Sequence, residues 1–561
     1  MPMVAGQGPN AKLLLERGNG FQVQSNEDGA HSQDSIAMSL RFVIADQEGQ
    51  HLQFQAAEMQ TILANQDLHD NYTEEFVEFI FNQKTEQRVN NWFKASMASK
   101  SHVFMFPWLA YGHVLPYLEF SKQLAAKGIH ISFISTPRNI KRFPSIPQNI
   151  SGKFKFIEIQ LPIVDGLPEN CEATIDLSPE QIQYLKQAYD ALKVPFESLV
   201  QKEAPEMILF DFAACWIPAI AARYGITSVF FSPLSAASSA YLGPPDELRS
   251  FRLRTRPEDY ARAPEWIPFP SLVAYRPDQG TRFMQHVSIP DVSGISTGQR
   301  RSKTLAECDL VALRSCREFE DAYLNVLEEI YQKPVLPIGL LPPNFVENKT
   351  SHPESSNFSR TFKWLDKQEQ KSVVFVGFGS EYKMPVETIH ELAYGIELSG
   401  LPFMWILKKP EGIESQDLLP TGFISRISDR GIVNFGWAPQ LKILAHPSIG
   451  GCLFHSGWGS IIESLGFGHP LILMPMVNDQ TLNAKLLVEK GAGFEVPRNK
   501  DGSFNRDMVA KSMRLVMVDE EGEPIRLKTS ELQAIFASQH LQDEYISKFI
   551  RYTSSFKKKE H

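Results

Sequence analysis

From His102 onward, short apolar runs alternate with longer amphipathic segments. The first series is HVFMFPWL (102–109), HISFIST (130–136), KFIEIQL (155–161), MILFDF (207–212) and TSVFFSP (227–233). Segments such as LEFSKQLAAKG and IPAIAARYG lie between several of them. Near-continuous apolar strands alternating with helices predict a mostly parallel sheet covered on both faces. Residues 244–306 are rich in Pro, Arg and Gly with weaker periodicity, and predict a loop-and-helix insertion of the kind that carries ligand contacts. The Pro-rich stretch from Lys333 to Pro343, followed by NFVENKTSHPESSNFSR, reads as a linker between domains, placed at 334–360. The alternation then restarts with SVVFVGFGS (372–380), PFMWILK (402–408), GIVNFGW (431–437), GGCLFH (451–455) and PLILMPM (470–476). The expected class is α/β. Two Rossmann-like domains, 100–333 and 361–535, would face a cleft between the carboxyl ends of their strands.

The chain also repeats itself. Residues 1–79 align without gaps to 474–552, so that MPMVAGQGPNAKLLLERGNGFQV matches MPMVNDQTLNAKLLVEKGAGFEV. A single diverged pair this far apart is not a solenoid. Residues 1–99 are expected to be an appended partial copy plus a join. Residues 536–561 are expected to return as a helix to the first domain; residues 530–552 have the period for it, with Leu532, Ile535 and Phe536 on one face and Tyr545, Phe549 and Ile550 continuing it. Three readings of the copy stay open: an idle fusion, a docking module, or exchange of equivalent tails between protomers.

Composition narrows the function. The chain has 561 residues, 43% hydrophobic and 22% charged, which is enough for two or three cored domains. A net charge of −9 argues against nucleic acid or an anionic membrane as partner. Five scattered Cys without CxxC spacing suit a reducing, cytoplasmic compartment. No apolar run reaches the roughly 18 residues of a membrane span. HExxH, P-loop and DxD motifs are missing, and FGFGSE is not a dinucleotide fingerprint, so no metal and no resident cofactor are expected.

Candidate chemistry concentrates in 437–480, WAPQLKILAHPSIGGCLFHSGWGSIIESLGFGHPLILMPMVNDQ. A sugar nucleotide needs a flat partner for its base, and Trp437 could supply one. Gln440 offers an amide for base or ribose edges, and the carboxylate of Glu463 suits a ribose diol. HSGWGS, between a strand and a helix, supplies helix N-terminal amides with Gly457 and Gly459 nearby, where His455 and Ser460 could donate to a diphosphate. Ser380, after another strand, could reach the same phosphate. Asp479 and Gln480, read as ending a strand, could hold sugar hydroxyls. Near the start of the first domain, FPWLAYGHVLP places His113 after the first strand, and Asp211 ends MILFDF. A neutral imidazole oriented by a carboxylate is a competent base near neutral pH.

The 44-residue run resembles the signature box of plant family-1 UDP-glycosyltransferases, and the resemblance extends over 100–561. It implies the two-domain GT-B fold and inverting transfer from a UDP-sugar, UDP-glucose or UDP-rhamnose, with His113 and Asp211 as the catalytic pair. By position, Trp437 would stack on uracil and Gln440 would bind the nucleoside. His455, Ser460 and Ser380 would hold the diphosphate, Glu463 the ribose, and Asp479 with Gln480 the sugar. One position departs: the family usually has Asn after the Trp of HSGWGS, and this chain has Gly459. The stretches MILFDFAACWIP, EWIPF, VALRSC and PVLPIGLLPP are most similar to the branch that extends sugars on existing flavonoid, terpenoid or steroid glycosides. The appended copy has Gly6 where the box has Asp479, and lacks counterparts of Trp437, His455 and Glu463, so it is not a second site. The alternative is a catalytically inactive UDP-sugar-binding or scaffold protein.

Overall fold

A computed structural model describes residues 101–343, 358–379, 382–409 and 417–556. The appended copy, most of the expected linker and Ser380 lie outside the described residues. The first sheet has seven parallel strands: β1 (His102–Phe106), β2 (His130–Ser135), β3 (Phe154–Glu158), β4 (Met207–Phe210), β5 (Thr227–Ser232), β6 (Leu310–Leu313) and β7 (Val335–Pro337), in the order β3-β2-β1-β4-β5-β6-β7. The second has six: β8 (Val373–Gly377), β9 (Phe403–Leu407), β10 (Gly431–Phe435), β11 (Ile449–Phe454), β12 (Leu471–Leu473) and β13 (Gly493–Glu495), in the order β10-β9-β8-β11-β12-β13.

The central strands are apolar because helices cover both faces. Phe104, Met105 and Phe106 in β1, and Cys452 and Leu453 in β11, are fully buried. Seven helices matter below: α1 (Tyr111–Ala126), α2 (Ala236–Leu242), α3 (Arg317–Tyr331), α4 (Val386–Ser399), α5 (Trp458–Gly466), α6 (Gln480–Glu489) and α7 (Gln539–Ser555). The first sheet's core runs without a break into one face of the second, through Phe375, Phe454, Ile461, Leu482 and Phe536. A second cluster, built on Trp405, Leu453 and α4, covers the other face.

Two expectations change here. Residues 335–337, read as the start of the linker, are the edge strand β7, pairing Val335 with Val311. Two prolines flank and end this three-residue strand, and proline is tolerated because β7 lies at the sheet edge. Asp479 and Gln480 do not end a strand. β12 stops at Leu473, Asp479 caps α6 and Gln480 opens it.

The last helix α7 packs on the first sheet's elements. The Tyr545 hydroxyl accepts from the Arg317 amide and donates to Glu318, each at 2.8 Å. The Gln542 side chain donates to the Ile338 carbonyl (2.9 Å) and accepts from the Leu341 amide (2.8 Å). Gly339, at φ +81°, faces that amide so closely that a Cβ would fall 2.4 Å from it. Phe549 meets Phe120 edge-on at 5.1 Å.

Candidate active site

In a parallel sheet, ligands bind where the strand order reverses, because neighbouring crossovers leave in opposite directions and open a crevice at the carboxyl ends. The first sheet reverses between β1 and β4. The residues following those two strands carry His113 and Asp211. His113 lies in the first turn of α1, inside the helix and not on the loop, with its amide on the Ala110 carbonyl. Its Nδ1 is 2.7 Å from Asp211 Oδ2. Asp211 is fully buried, and its two oxygens also accept from the amides of Phe212 (2.7 Å) and Trp108 (3.3 Å). Three partners thus fix the carboxylate, and the carboxylate orients the imidazole through Nδ1. The His113 side chain is 21% exposed, which leaves it reachable.

The second sheet reverses between β8 and β11. The segment after β8 carries Gly379 and the segment after β11 carries His455. A Cβ on Gly379 (φ +69°) would lie 2.9 Å from the His455 ring, and one on Gly457 would lie 2.7 Å from its Nε2. Only glycine fits at either place. Burial pushes the His455 imidazole down to about 4, with the Gly377 carbonyl acting the other way, so the ring is neutral near pH 7. Ser456 sits in the left-handed region at φ +64°, with a buried hydroxyl that has no partner among the described residues. Such strain costs about 1–3 kcal/mol and is found where a turn must aim functional groups. This turn aims the start of α5. Gly457 is the N-cap, no side chain among the described residues caps the helix and no acid lies in its first turn. The first amides of α5, with Ser460 in that turn, are therefore free to meet an anion.

Trp437 follows β10 and is 49% exposed, with Phe358 edge-on at 6.4 Å. A tryptophan left this open is not part of the core. Gln440 and Glu463 are brought together: the amide nitrogen donates to Glu463 Oε2 at 2.7 Å. Burial raises the Glu463 carboxyl to about 7, against the opposing pull of Gln440 and Arg314.

The sugar-end candidates are tied to the first sheet by a polar seam absent from the sequence reading. Asn483, fully buried on α6, donates to Asp479 Oδ2 (2.8 Å) and to the Ser456 carbonyl (3.2 Å). Its Oδ1 accepts from Ser235 (2.9 Å) and Ser238 (3.0 Å) at the start of α2. Tyr275 donates to the Asn478 carbonyl (3.0 Å) and Gln279 to Thr481 (2.9 Å), so the 244–306 insertion grips α6 as well. Gln480 spends its side-chain oxygen on the amides of Met476 and Val477. Burial raises the Asp479 carboxyl, while Asn483 and the charge of His113 lower it. Arg314, after β6, was also unmarked: it is 5% exposed and its carbonyl accepts from Trp458 Nε1 at 2.9 Å. The pairings of Asn483 with Ser235 and Ser238, of Tyr275 with Asn478, of Gln279 with Thr481 and of Arg314 with Trp458 each span more than a hundred residues, and no local pattern announces them.

Two Rossmann-like parallel sheets, with a functional crevice at each reversal, define the GT-B class of nucleotide-sugar transferases. The model for the family "UDP-glucoronosyl and UDP-glucosyl transferase" matches residues 321–521. UDP-glycosyltransferase 91C1 of Arabidopsis thaliana is 42% identical over 455 residues, 81% of this chain and 96% of that protein. The soyasaponin III rhamnosyltransferase of Glycine max is 41% identical over 460 residues, 80% of this chain and 94% of that one. Among solved structures, Glycyrrhiza uralensis UGT73P12 complexed with glycyrrhetinic acid 3-O-monoglucuronide superposes with a TM-score of 0.68 at 21% identity, over 82% of this chain and 96% of that one. The chain belongs to the plant family-1 UDP-glycosyltransferases, and is an enzyme of hexosyl or rhamnosyl transfer from a UDP-sugar to plant metabolites. No described helix is long and apolar enough to cross a membrane.

Proposed function

We propose that this enzyme inverts configuration at the donor's anomeric carbon while extending a sugar already present on a small plant glycoside. The observation that carries the mechanism is the 2.7 Å His113–Asp211 pair at the β1/β4 reversal. His113 Nε2 takes the proton of the acceptor hydroxyl. The acceptor oxygen bonds to the anomeric carbon from the face opposite the phosphate, and UDP leaves with the electron pair of the broken C–O bond. Asp211 stabilises the imidazolium that forms. Trp437 stacks on uracil, Glu463 and Gln440 take the ribose, and His455 with Ser460, Ser380 and the first α5 amides holds the diphosphate. Asp479 and Gln480 hold the transferred sugar. The chemistry needs no metal, and we place it in the cytosol.

The acceptor class is supported by the 41%-identical relative, whose name assigns it a rhamnosyl transfer to a saponin. UDP-glucose and UDP-rhamnose both remain candidate donors. Crossing these two donors with a set of aglycones and their glucosides tests the proposal. We expect UDP release above background with the glucosides only. Turnover confined to aglycones would remove the glycoside assignment, and UDP-sugar binding without any turnover would favour an inactive binding protein.

A further inference from the structure

The departure at position 459 has a counterpart on the other sheet. A Cβ built on Gly459 would lie 3.6 Å from Nη1 of Arg314. Arg314 follows β6, and its guanidinium is held from behind: Nε donates to the Leu340 carbonyl (2.8 Å) and Nη2 to the Leu341 carbonyl (3.1 Å). Leu341 adopts a left-handed φ of +51°. The Arg314 carbonyl is in turn locked to Trp458, the first residue of α5. Nη1 is held by neither carbonyl and faces the space a side chain at 459 would fill.

The charge of this arginine lacks a close balance. The opposing carboxylates that act on it, Glu463 and Glu119, do so through space, and no carboxylate among the described residues pairs with it. Glu119 is already paired with Lys122 at 2.8 Å. Burial lowers the guanidinium to about 10, the mark of a cation held out of water. A buried, unpaired cation is expensive unless an anion arrives to meet it. The uncapped amides of α5 attract an anion to the same place.

We propose that Arg314 is a donor-binding residue, contacting the diphosphate through Nη1 in the space that Gly459 leaves open. It takes over the phosphate contact that the family's usual Asn at this position would make. Because Arg314 belongs to the first sheet and α5 to the second, the diphosphate is then held from both halves of the enzyme. The inference rests on placing the diphosphate at the start of α5.

The test is calorimetric titration of UDP and of uridine into the full-length wild type, Arg314→Gln, Arg314→Lys, Gly459→Asn, the Arg314→Gln/Gly459→Asn double variant and His455→Ala. A charge-assisted contact is worth about 1.5–3 kcal/mol, so Arg314→Gln should weaken UDP about 10- to 150-fold. Uridine, without phosphate, should change less than about twofold by the same reasoning. Arg314→Lys should retain part of the UDP affinity, and adding Gly459→Asn to Arg314→Gln should restore part of it. A purely structural Arg314 would weaken UDP and uridine alike, or lower only the melting temperature, and the double variant would rescue nothing; either result overturns the proposal. If only His455→Ala weakens UDP, the Arg314 proposal falls alone. If neither His455→Ala nor Arg314→Gln does so, the diphosphate placement itself is wrong.

Discussion

Each half of this enzyme has one histidine beside the point where its sheet reverses order, His113 in the helix after β1 and His455 directly after β11. The surroundings treat them in opposite ways. His113 meets a buried carboxylate at 2.7 Å, itself anchored by two backbone amides. His455 meets two glycines and, among the described residues, no carboxylate, and burial drives it down to about 4. The first arrangement stabilises a positive ring and so can accept a proton. The second disfavours a positive ring and leaves a neutral hydrogen-bond donor, suited to a phosphate that already carries negative charge. Topology therefore supplies two equivalent crevices, and the partner of each histidine decides what that crevice does.

The largest effect that could break this contrast is at Asp211. Asp211→Asn keeps the size of the side chain but not its charge, and should lower kcat about 10²- to 10⁴-fold with donor affinity unchanged. Steady-state kinetics with separate donor and acceptor series would show it; a change confined to donor KM would mean that Asp211 serves the nucleotide. Next comes the donor half. Glu463→Ala should raise donor KM about 10- to 100-fold, as expected for a lost charge-assisted contact, with little change in acceptor KM. The reverse pattern would remove Glu463 from the ribose.

The pH dependence sharpens the comparison. The folded Glu463 carboxyl titrates at about 7 against an ordinary value near 4.5. Its raised value favours the fold at low pH, and that contribution is lost as pH rises from about 4.5 through 7. In the proposed donor site the ionised carboxylate would accept from the ribose hydroxyls, so donor KM should rise as pH falls below about 7. Glu463→Gln should flatten that limb, and an unchanged limb would assign it elsewhere. His455 has the opposite sign. Its folded value of about 4 lies below the ordinary 6.5, so stability is lost as pH falls from 6.5 toward 4.

A smaller effect is expected at the seam. Asn483→Ala leaves Asp479, Ser235 and Ser238 without a shared partner, at a cost of about 1–3 kcal/mol. Thermal melting should register the loss, and donor KM should rise about tenfold if about half of that cost falls on the donor site. Unchanged melting would mean that the seam is not a constraint on Asp479. The smallest effect should follow deletion of residues 1–99, because that copy lacks counterparts of Trp437, His455 and Glu463. Turnover and melting temperature should stay within about twofold and a few degrees. A large loss in either would give the copy a working role.

Much of this was legible along the chain because the signals are local. Apolar runs of five or six residues marked β1, β2, β8 and β11, and the fixed spacing from Trp437 to Gln480 marked the donor half. The run FPWLAYGHVLP and the end of MILFDF pointed to His113 and Asp211. What escaped was short or long-range. β7 and β13 have three residues each, too few for a period, and the prolines of β7 imitate a linker. Asp479 looked like a strand end because the apolar run continues past Leu473, where the chain has already left the sheet. Arg314 and Asn483 sit in ordinary local sequence, and their meaning comes from partners 145 and 248 positions away (314 to 459, 235 to 483).

The division of labour between the two histidines is tested most directly on a single variant. His113→Ala should lose transfer by at least about 10²-fold under saturating donor and acceptor, the low end for a lost general base. The same protein should bind UDP within about twofold of wild type, because His113 is not among the proposed diphosphate contacts and a lost general base affects the chemical step, not nucleotide binding. Transfer at near wild-type rate, or UDP affinity that falls together with transfer, would contradict the account.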